Sequence, residues 1–145
     1  MKSRTRARSL ALQVLYEVDI ANHAPADIYK SRLEDNPLPD EIADFARQII
    51  FGVLPLTGTL DQIIARYAPE WPLYQIAAID RNILRMALWE FAVYHDTPIK
   101  VAINEAVELA KEFGSDSAPR FINGVLGALA DHQHEIRQAL KKSPS

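Results

Sequence analysis

The sequence predicts an all-α fold of about seven helices arranged as two packed helical halves. Along most of the chain, apolar residues recur at three- and four-residue steps, the spacing of one face of an α-helix. No segment alternates apolar and polar residues as a half-buried strand does. Prolines interrupt the pattern at intervals typical of helix lengths. We expect a single domain over residues 1–145, with halves at about 1–70 and 71–145.

The first half contains four predicted helices. The first runs from about Thr5 to Ile20, and a loop containing a proline is expected over Asn22–Ala26. A short second helix ends before two further prolines. The third begins at Asp40, and Pro55 must end or kink it because proline removes a helical hydrogen-bond donor. The fourth helix carries the apolar stripe of Leu60, Ile63, Ile64 and Tyr67.

The second half begins after the run Pro69–Pro72 and opens with a strongly apolar fifth helix. Thr97–Pro98 predicts the N-cap and the first position of the sixth helix, and Gly114 is expected to end it. The last helix starts near Pro119. It should continue through the turn-forming pair Asn123–Gly124 because apolar spacing persists on both sides. How far this helix extends toward the C-terminus is left open.

Composition excludes several classes of protein. The chain has no cysteine, which rules out disulfides, thiolate zinc sites and cysteine nucleophiles and is typical of a reducing compartment. No uninterrupted apolar run approaches the ~20 residues of a membrane span. The basic N-terminus lacks the apolar stretch of a secretory signal. We therefore expect a cytoplasmic protein that does not bind membranes.

No set of residues predicts an active site. His132 and His134 are two positions apart, so on a helix they point about 200° from each other and do not share a metal ion. The five glycines form no phosphate-binding loop, and no serine has a base placed by a motif. We expect no catalysis, no cofactor and no metal.

Basic residues are concentrated at the N-terminus. The first eight residues hold four of the 16 basic side chains, at positions 2, 4, 6 and 8, and none of the 19 acidic ones. On the first helix, one face within about 80° carries a cation, a hydroxyl, an amide and an aromatic ring. These are Arg6, Ser9, Gln13 and Tyr16. Such a set suits phosphates and unstacked bases of single-stranded RNA. A solvated terminus and an ordinary polar face remain the alternatives.

A second candidate surface lies around the start of the last helix. Its residues are Lys111, Gly114, Ser117, Arg120, Phe121 and Asn123. The first turn of a helix presents free backbone N–H groups to an anion, and Arg120 adds a positive charge. From the sequence, Phe121 is either a core residue or a platform on which a base stacks.

Several stretches resemble the NusB family of transcription antitermination factors. They match in order and spacing over about residues 3–130. The most specific is Pro98–Lys111, which is followed by Phe113–Gly114 and then by Arg120–Leu126. The arginine-rich opening Arg4–Tyr16 and the central stretch Ile83–Glu90 also resemble the family.

The resemblance implies a fold of seven or so helices in two halves. It also implies binding to boxA, a short single-stranded RNA element in ribosomal leader transcripts. The implied protein partner is NusE, a small-subunit ribosomal protein that joins the RNA polymerase antitermination complex. Some members of the family self-associate, and the sequence leaves the oligomeric state open.

The resemblance also implies roles for individual residues. Those matching the RNA-contacting arm and the polar and aromatic positions near it are Arg4, Arg6, Arg8, Gln13, Tyr16 and Phe121. Asp80 and Arg85 match the charged part of the central helix, where NusE docks in family members. Asp80 stands where some members carry glutamate, and a shorter carboxylate alters reach. The segment 116–120 departs from the Glu-Asp-Ser-His-Lys of some members, which puts RNA contacts from this loop in doubt.

Two rival functions remain at the level of the sequence. The same domain occurs at the N-terminus of ribosomal RNA cytosine methyltransferases, a reading that needs a long catalytic domain after Ser145. The other rival is a purely protein-binding helical adaptor, which predicts no affinity for RNA with or without NusE.

Overall fold

The computed structural model describes residues 3–142, and over this range the chain forms α-helices, short turns and no strand. The predicted all-α class is confirmed. The eight helices are α1 (Ser3–Ala21), α2 (Pro25–Asp35), α3 (Asp40–Val53), α4 (Thr57–Tyr67), α5 (Ala78–Trp89), α6 (Ile99–Phe113), α7 (Ala118–Ala130) and α8 (Gln133–Lys142). One more helix is present than expected, because the chain turns at residues 131–132 and starts α8. The pair Asn123–Gly124 lies inside α7, as predicted.

Prolines and one asparagine set the boundaries in the first half. Asn22 has a φ of 56°, a left-handed conformation that ends α1 and that asparagine tolerates better than most residues. Pro25 occupies the first position of α2, so the predicted loop Asn22–Ala26 is too long. Pro55 lies in a 3₁₀ turn, Leu54–Leu56, that joins α3 to α4.

Helices α3 and α4 together form one helical stretch from Asp40 to Tyr67. The stretch is 28 residues long and contains an 18-residue window with a mean hydropathy of 1.3, so it has the length and composition needed to cross a membrane. Polar residues interrupt the apolar run, so this stretch is not visible as an uninterrupted apolar segment in the sequence. Ile49, Ile50 and Leu60 of this stretch are nevertheless fully buried in the core. One third of that window is buried, and core helices of other proteins pass the same test, so this stretch alone is weak evidence for a membrane span.

The connection between α5 and α6 differs from the prediction. A single π-helical turn, Glu90–Tyr94, extends α5 and ends at His95, whose φ is 69°. Helix α6 then begins at Ile99 with Pro98 in the capping position, one residue later than expected. The predicted N-cap at Thr97 is wrong because its hydroxyl lies one position too early. Thr97 is buried, and its Oγ1 makes no hydrogen bond within the described chain.

Helix α5 lies at the centre of the core and contacts α1, α3, α4, α6 and α7. Close packing of α3 on α5 depends on Gly52, where a Cβ atom would come within 2.5 Å of the Trp89 ring. The buried apolar side chains form one cluster with members from both sides of residue 70. The division into halves at about 1–70 and 71–145 stays a prediction.

Candidate nucleic-acid interface

The N-terminal arginines of α1 are divided between the surface and the core. Arg4 and Arg6 are exposed, whereas Arg8 is only 5% exposed. The resemblance assigns all three arginines to an RNA-contacting arm, and the burial of Arg8 does not fit that assignment. Lys2, the first basic residue, lies outside the described residues.

Arg8 is held by two acidic side chains from the second half of the chain. Its Nε lies 2.9 Å from Glu90 Oε1, its Nη2 also pairs with Glu90, and its Nη1 lies 2.9 Å from Glu105 Oε1. Burial by itself lowers the pKa of the Arg8 guanidinium, but the bonds and charges of Glu90 and Glu105 outweigh it and raise the pKa. The sequence signal was the spacing of Arg8 from Leu12 and Leu15, which places all three on the buried face.

Arg4 is exposed but has defined contacts. Its guanidinium carbon lies 4.3 Å from the centre of the Phe45 ring, and its Nη2 donates to the Tyr94 hydroxyl over 3.4 Å. Arg6 makes no side-chain hydrogen bond or ion pair with any residue in the range 3–142. Both cations therefore keep surface available to a phosphate.

The polar face of α1 lies beside Arg6, with Ser9, Gln13 and Tyr16 half-buried along it. Gln13 is oriented by Arg32 of α2, whose Nη1 donates to Gln13 Oε1 over 2.7 Å. Sequence reasoning missed Arg32. No periodic signal within one helix could have found it, because the contact joins two helices.

Around the start of α7, the side chains of Lys111, Arg120 and Asn123 are exposed. Lys111 forms a surface ion pair with Glu108 at 3.2 Å, a type of contact that contributes little. Phe121 is half-buried and packs edge-on against Trp71, with 6.3 Å between ring centres. One side of this ring is thus in the core, which leaves both predicted roles for Phe121 open.

Phe121 shares a cavity of about 280 Å³ with Asp80, Trp71 and Pro72. Two residues that the sequence assigned to different partners therefore line one cavity. Asp80 is 8% exposed, and its Oδ1 is buried with no hydrogen-bond partner among the described residues. This burial raises the pKa of the Asp80 carboxyl.

The turn between α6 and α7 packs directly over the Asp80 carboxyl. A Cβ atom at Gly114 would come within 3.1 Å of Asp80 Oδ1 and 2.6 Å of the Ala118 side chain. Gly114 ends α6 as predicted. Its φ of −96° is open to any residue, so the lack of space, and not the backbone conformation, requires glycine here.

Arg85 is buried and paired with carboxylates of two other helices. It is 7% exposed, and its Nε and Nη2 hold both carboxylate oxygens of Asp61 in α4 at 2.7 and 2.8 Å. Its Nη1 also lies 3.4 Å from Asp19 of α1. Its guanidinium is occupied by carboxylates of two neighbouring helices, and the partner-binding role that the resemblance implies for Arg85 stays a prediction. The residue links α5 to α4 and α1.

The described residues contain no group of three or more histidine, cysteine, aspartate or glutamate side chains that could hold a metal ion. His132 lies against the Tyr67 ring, with 4.9 Å between the ring centres, and 3.2 Å from Glu135.

Known proteins are similar to this chain in fold and in sequence. The sequence pattern of the NusB family matches residues 5–131. The transcription antitermination protein NusB of Roseiflexus sp. (strain RS-1) is 44% identical over 137 residues, which cover 93% of this chain and 96% of that protein. The solved structure of T. maritima NusB superposes with a TM-score of 0.82 at 29% identity, covering 93% of this chain and 96% of that one.

A solved complex of the antitermination factors NusB and NusE with double-stranded RNA has the same fold. Its matching chain superposes with a TM-score of 0.82 at 24% identity and covers 90% of this chain and 98% of its own length. The family pattern spans most of the sequence, and a relative above 40% identity is matched over nearly its whole length. The chain therefore belongs to the NusB family.

Proposed function

We propose that this protein acts in transcription antitermination by binding single-stranded boxA-type RNA of ribosomal RNA transcripts. It does so as a complex with NusE within the RNA polymerase antitermination assembly. It works by binding and not by catalysis, in the bacterial cytoplasm. The name and near-complete coverage of the Roseiflexus relative support the process. The single observation that carries RNA binding is the exposed pair Arg4 and Arg6 beside the polar face of α1.

The chemistry of this face suits single-stranded RNA. The two guanidinium groups pair with phosphate oxygens. Gln13 offers an amide to a base edge, and the half-buried ring of Tyr16 offers a stacking surface. Arg120 and Asn123 extend the proposed surface at the start of α7, with Lys111 on the neighbouring helix α6.

The proposed NusE surface lies around the start of α5. Asp80 supplies an unpaired carboxylate there, and its cavity is also lined by Gln75 from the preceding 3₁₀ turn. Tyr74 of the same turn is 83% exposed. Ile20, at the end of α1, is 56% exposed and follows Asp19, which pairs with Arg81 of α5. Exposed apolar side chains that lie close together are typical of a protein interface, and the unpaired carboxylate of Asp80 offers an acceptor to a donor of the partner.

A titration of boxA-type RNA tests the proposal, with and without NusE. The variant Arg4→Ala/Arg6→Ala should weaken RNA binding because it removes two phosphate contacts. Raising salt should also weaken the wild type, by about 0.7 log unit per tenfold salt for each phosphate contact, and the variant less steeply. Thermal melting of the variant should stay close to that of the wild type.

The matched control is Arg47→Ala/Arg66→Ala, which removes two exposed arginines from α3 and α4. It should bind RNA nearly as tightly as the wild type. Equal loss of affinity in both double variants would mean that only net charge matters. No affinity of the folded wild type for RNA, alone or with NusE, would contradict the proposal and favour a protein-binding adaptor.

A further inference from the structure

A separate cavity, of about 320 Å³, opens between α1, α2 and the end of α6. Its polar lining includes Arg6, Gln13, Arg32, Asp35, Asn36 and Glu112. Leu10 and Leu38 add apolar surface. The cavity therefore adjoins the polar face of α1 proposed to bind RNA, since Arg6 and Gln13 belong to both.

The size of the cavity limits its occupant. Pockets for small ligands typically hold about 300–1,000 Å³, so this one lies at the lower limit. This volume suits a single flat ring system of nucleobase size better than a helix or a folded loop of another protein. Its apolar leucines also suit the face of a ring better than a hydrated ion.

The charges of the lining are balanced. Arg6 and Arg32 supply two guanidinium groups, whereas Asp35 and Glu112 supply two carboxylates. A phosphate is attracted by the first pair and repelled by the second. A ligand with both donors and acceptors on its edge can satisfy both signs, so the lining favours a neutral hydrogen-bonding base over an anion.

Part of the lining is already positioned and part is free. Arg32 is held by Gln13 Oε1 at 2.7 Å and by Glu17 Oε1 at 2.9 Å, which fixes its guanidinium at the wall. The side chains of Asp35 and Asn36 make no hydrogen bond or ion pair with any residue between 3 and 142. The lining therefore combines a positioned cation, Arg32, with a carboxylate, Asp35, that is available to a ligand.

We propose that this cavity binds one unstacked guanine of the single-stranded RNA. The inference rests on the proposed function and assigns one base within it. The N1–H and N2–H groups of guanine are neighbouring donors that a single carboxylate, that of Asp35, accepts together. Its O6 and N7 accept from the remaining N–H groups of Arg32. Cytosine, adenine and uracil lack this pair of adjacent donors beside strong acceptors.

Inosine-substituted RNA tests the assignment, because inosine lacks the N2 amine of guanosine and removes one donor. The probe is a labelled boxA-type RNA in which each guanosine is replaced by inosine in turn. For the wild type, one position should lose about tenfold in affinity, within the range of one bidentate base contact. The variant Asp35→Asn should bind more weakly and show no further loss at that position.

The control is Asp27→Asn, an exposed aspartate on the same helix that does not line the cavity. It should respond to inosine as the wild type does. If Asp35→Asn keeps the full inosine response, or if no position shows one in RNA that the wild type binds, the guanine assignment is overturned and RNA binding itself stands. If Asp35→Asn weakens only NusE binding, the cavity belongs to a protein interface and the assignment is overturned. A folded wild type that binds no RNA removes the proposed function as well.

Discussion

The two ends of the central helix α5 contain buried acidic groups in opposite situations. Just beyond its C-terminal end, Glu90 is 3% exposed and its carboxylate is held by Arg8. At its N-terminal end, Asp80 is nearly as buried, yet its Oδ1 has no partner in the part of the chain that the structure describes. A buried charge without a partner costs free energy that a paired one recovers in part.

The difference indicates which end stabilises the fold and which is open to a ligand. The pair of Arg8 and Glu90 joins α1 to the end of α5, and both side chains are buried, so neither is accessible to RNA or protein. Asp80 keeps an unpaired oxygen beside a cavity, so a partner with a donor gains from binding there. Burial alone therefore does not separate structural from functional charges, whereas the state of pairing does.

Breaking the buried ion pair of Arg8 and Glu90 should have the largest effect on stability. Arg8→Ala leaves Glu90 buried without its cation, and breaking a buried pair in this way typically costs about 3–5 kcal/mol of unfolding free energy. Chemical denaturation measures this cost. The exposed neighbour provides the control, since Arg6→Ala should change stability by less than about 0.5 kcal/mol. Equal small effects at both positions would contradict the structural role of Arg8.

Crowding the turn that packs over the unpaired Asp80 should have an intermediate effect on stability. Gly114→Ala places a Cβ atom 2.9 Å from the Ala110 carbonyl oxygen and closer still to Ala118, so the turn over Asp80 must shift. Overpacking of this kind typically costs about 1–3 kcal/mol. Gly127→Ala, inside α7 with open space around it, should instead stabilise by up to about 1 kcal/mol. Thermal melting of both variants measures the contrast.

Neutralising the Asp80 carboxylate should have the smallest effect on stability. Unlike the two changes above, it should stabilise the protein. Because burial raises the pKa of Asp80 in the folded chain, ionisation of this group lowers the unfolding free energy as pH rises through that raised pKa. Asp80→Asn should therefore be more stable than the wild type at neutral pH. The gain should vanish in acid, below the ordinary pKa of 3.8, where Asp80 is protonated in both states.

The same Asp80→Asn variant should bind NusE more weakly, because it removes the charge that the partner would pair. A loss of stability at neutral pH would show that Asp80 has a stabilising partner and is not unpaired. Unchanged NusE affinity would move the docking surface away from the start of α5.

The helical fold could be predicted because its signal is local. The stripe of Leu60, Ile63 and Ile64 follows from spacing within one helix, and all three are buried. The π-helical turn at Glu90–Tyr94 could not be predicted, since nothing in its composition distinguishes it from an α-helical turn. The burial of Thr97, which was expected to cap α6, could not be predicted from the sequence either.

The candidate site was predicted less completely because its contacts join distant residues. The exposure of Arg6 follows from its place on the wheel of α1, but the burial of Arg8 depends on Glu90 and Glu105, more than 80 positions away. Asp80 and Phe121 share a cavity that no spacing rule relates. The charged residues of a sequence are candidates for a binding site. Only the packed structure shows which of these charges are already paired with another side chain.

Two ion pairs join helix α1 to α5 and to the turn that directly follows it. Arg8 pairs with Glu90 near one end, and Asp19 pairs with Arg81 near the other. The two helices are therefore antiparallel, and the pairs span about 16 Å along α1 and about 14 Å along α5 at 1.5 Å per residue. The two ion pairs therefore fix the number of residues between Arg8 and Asp19. Adding or deleting one residue between Arg8 and Asp19 rotates everything beyond it by about 100° and separates one pair. In evolution, changes in the length of α1 should therefore be confined to positions before Arg8 or after Asp19.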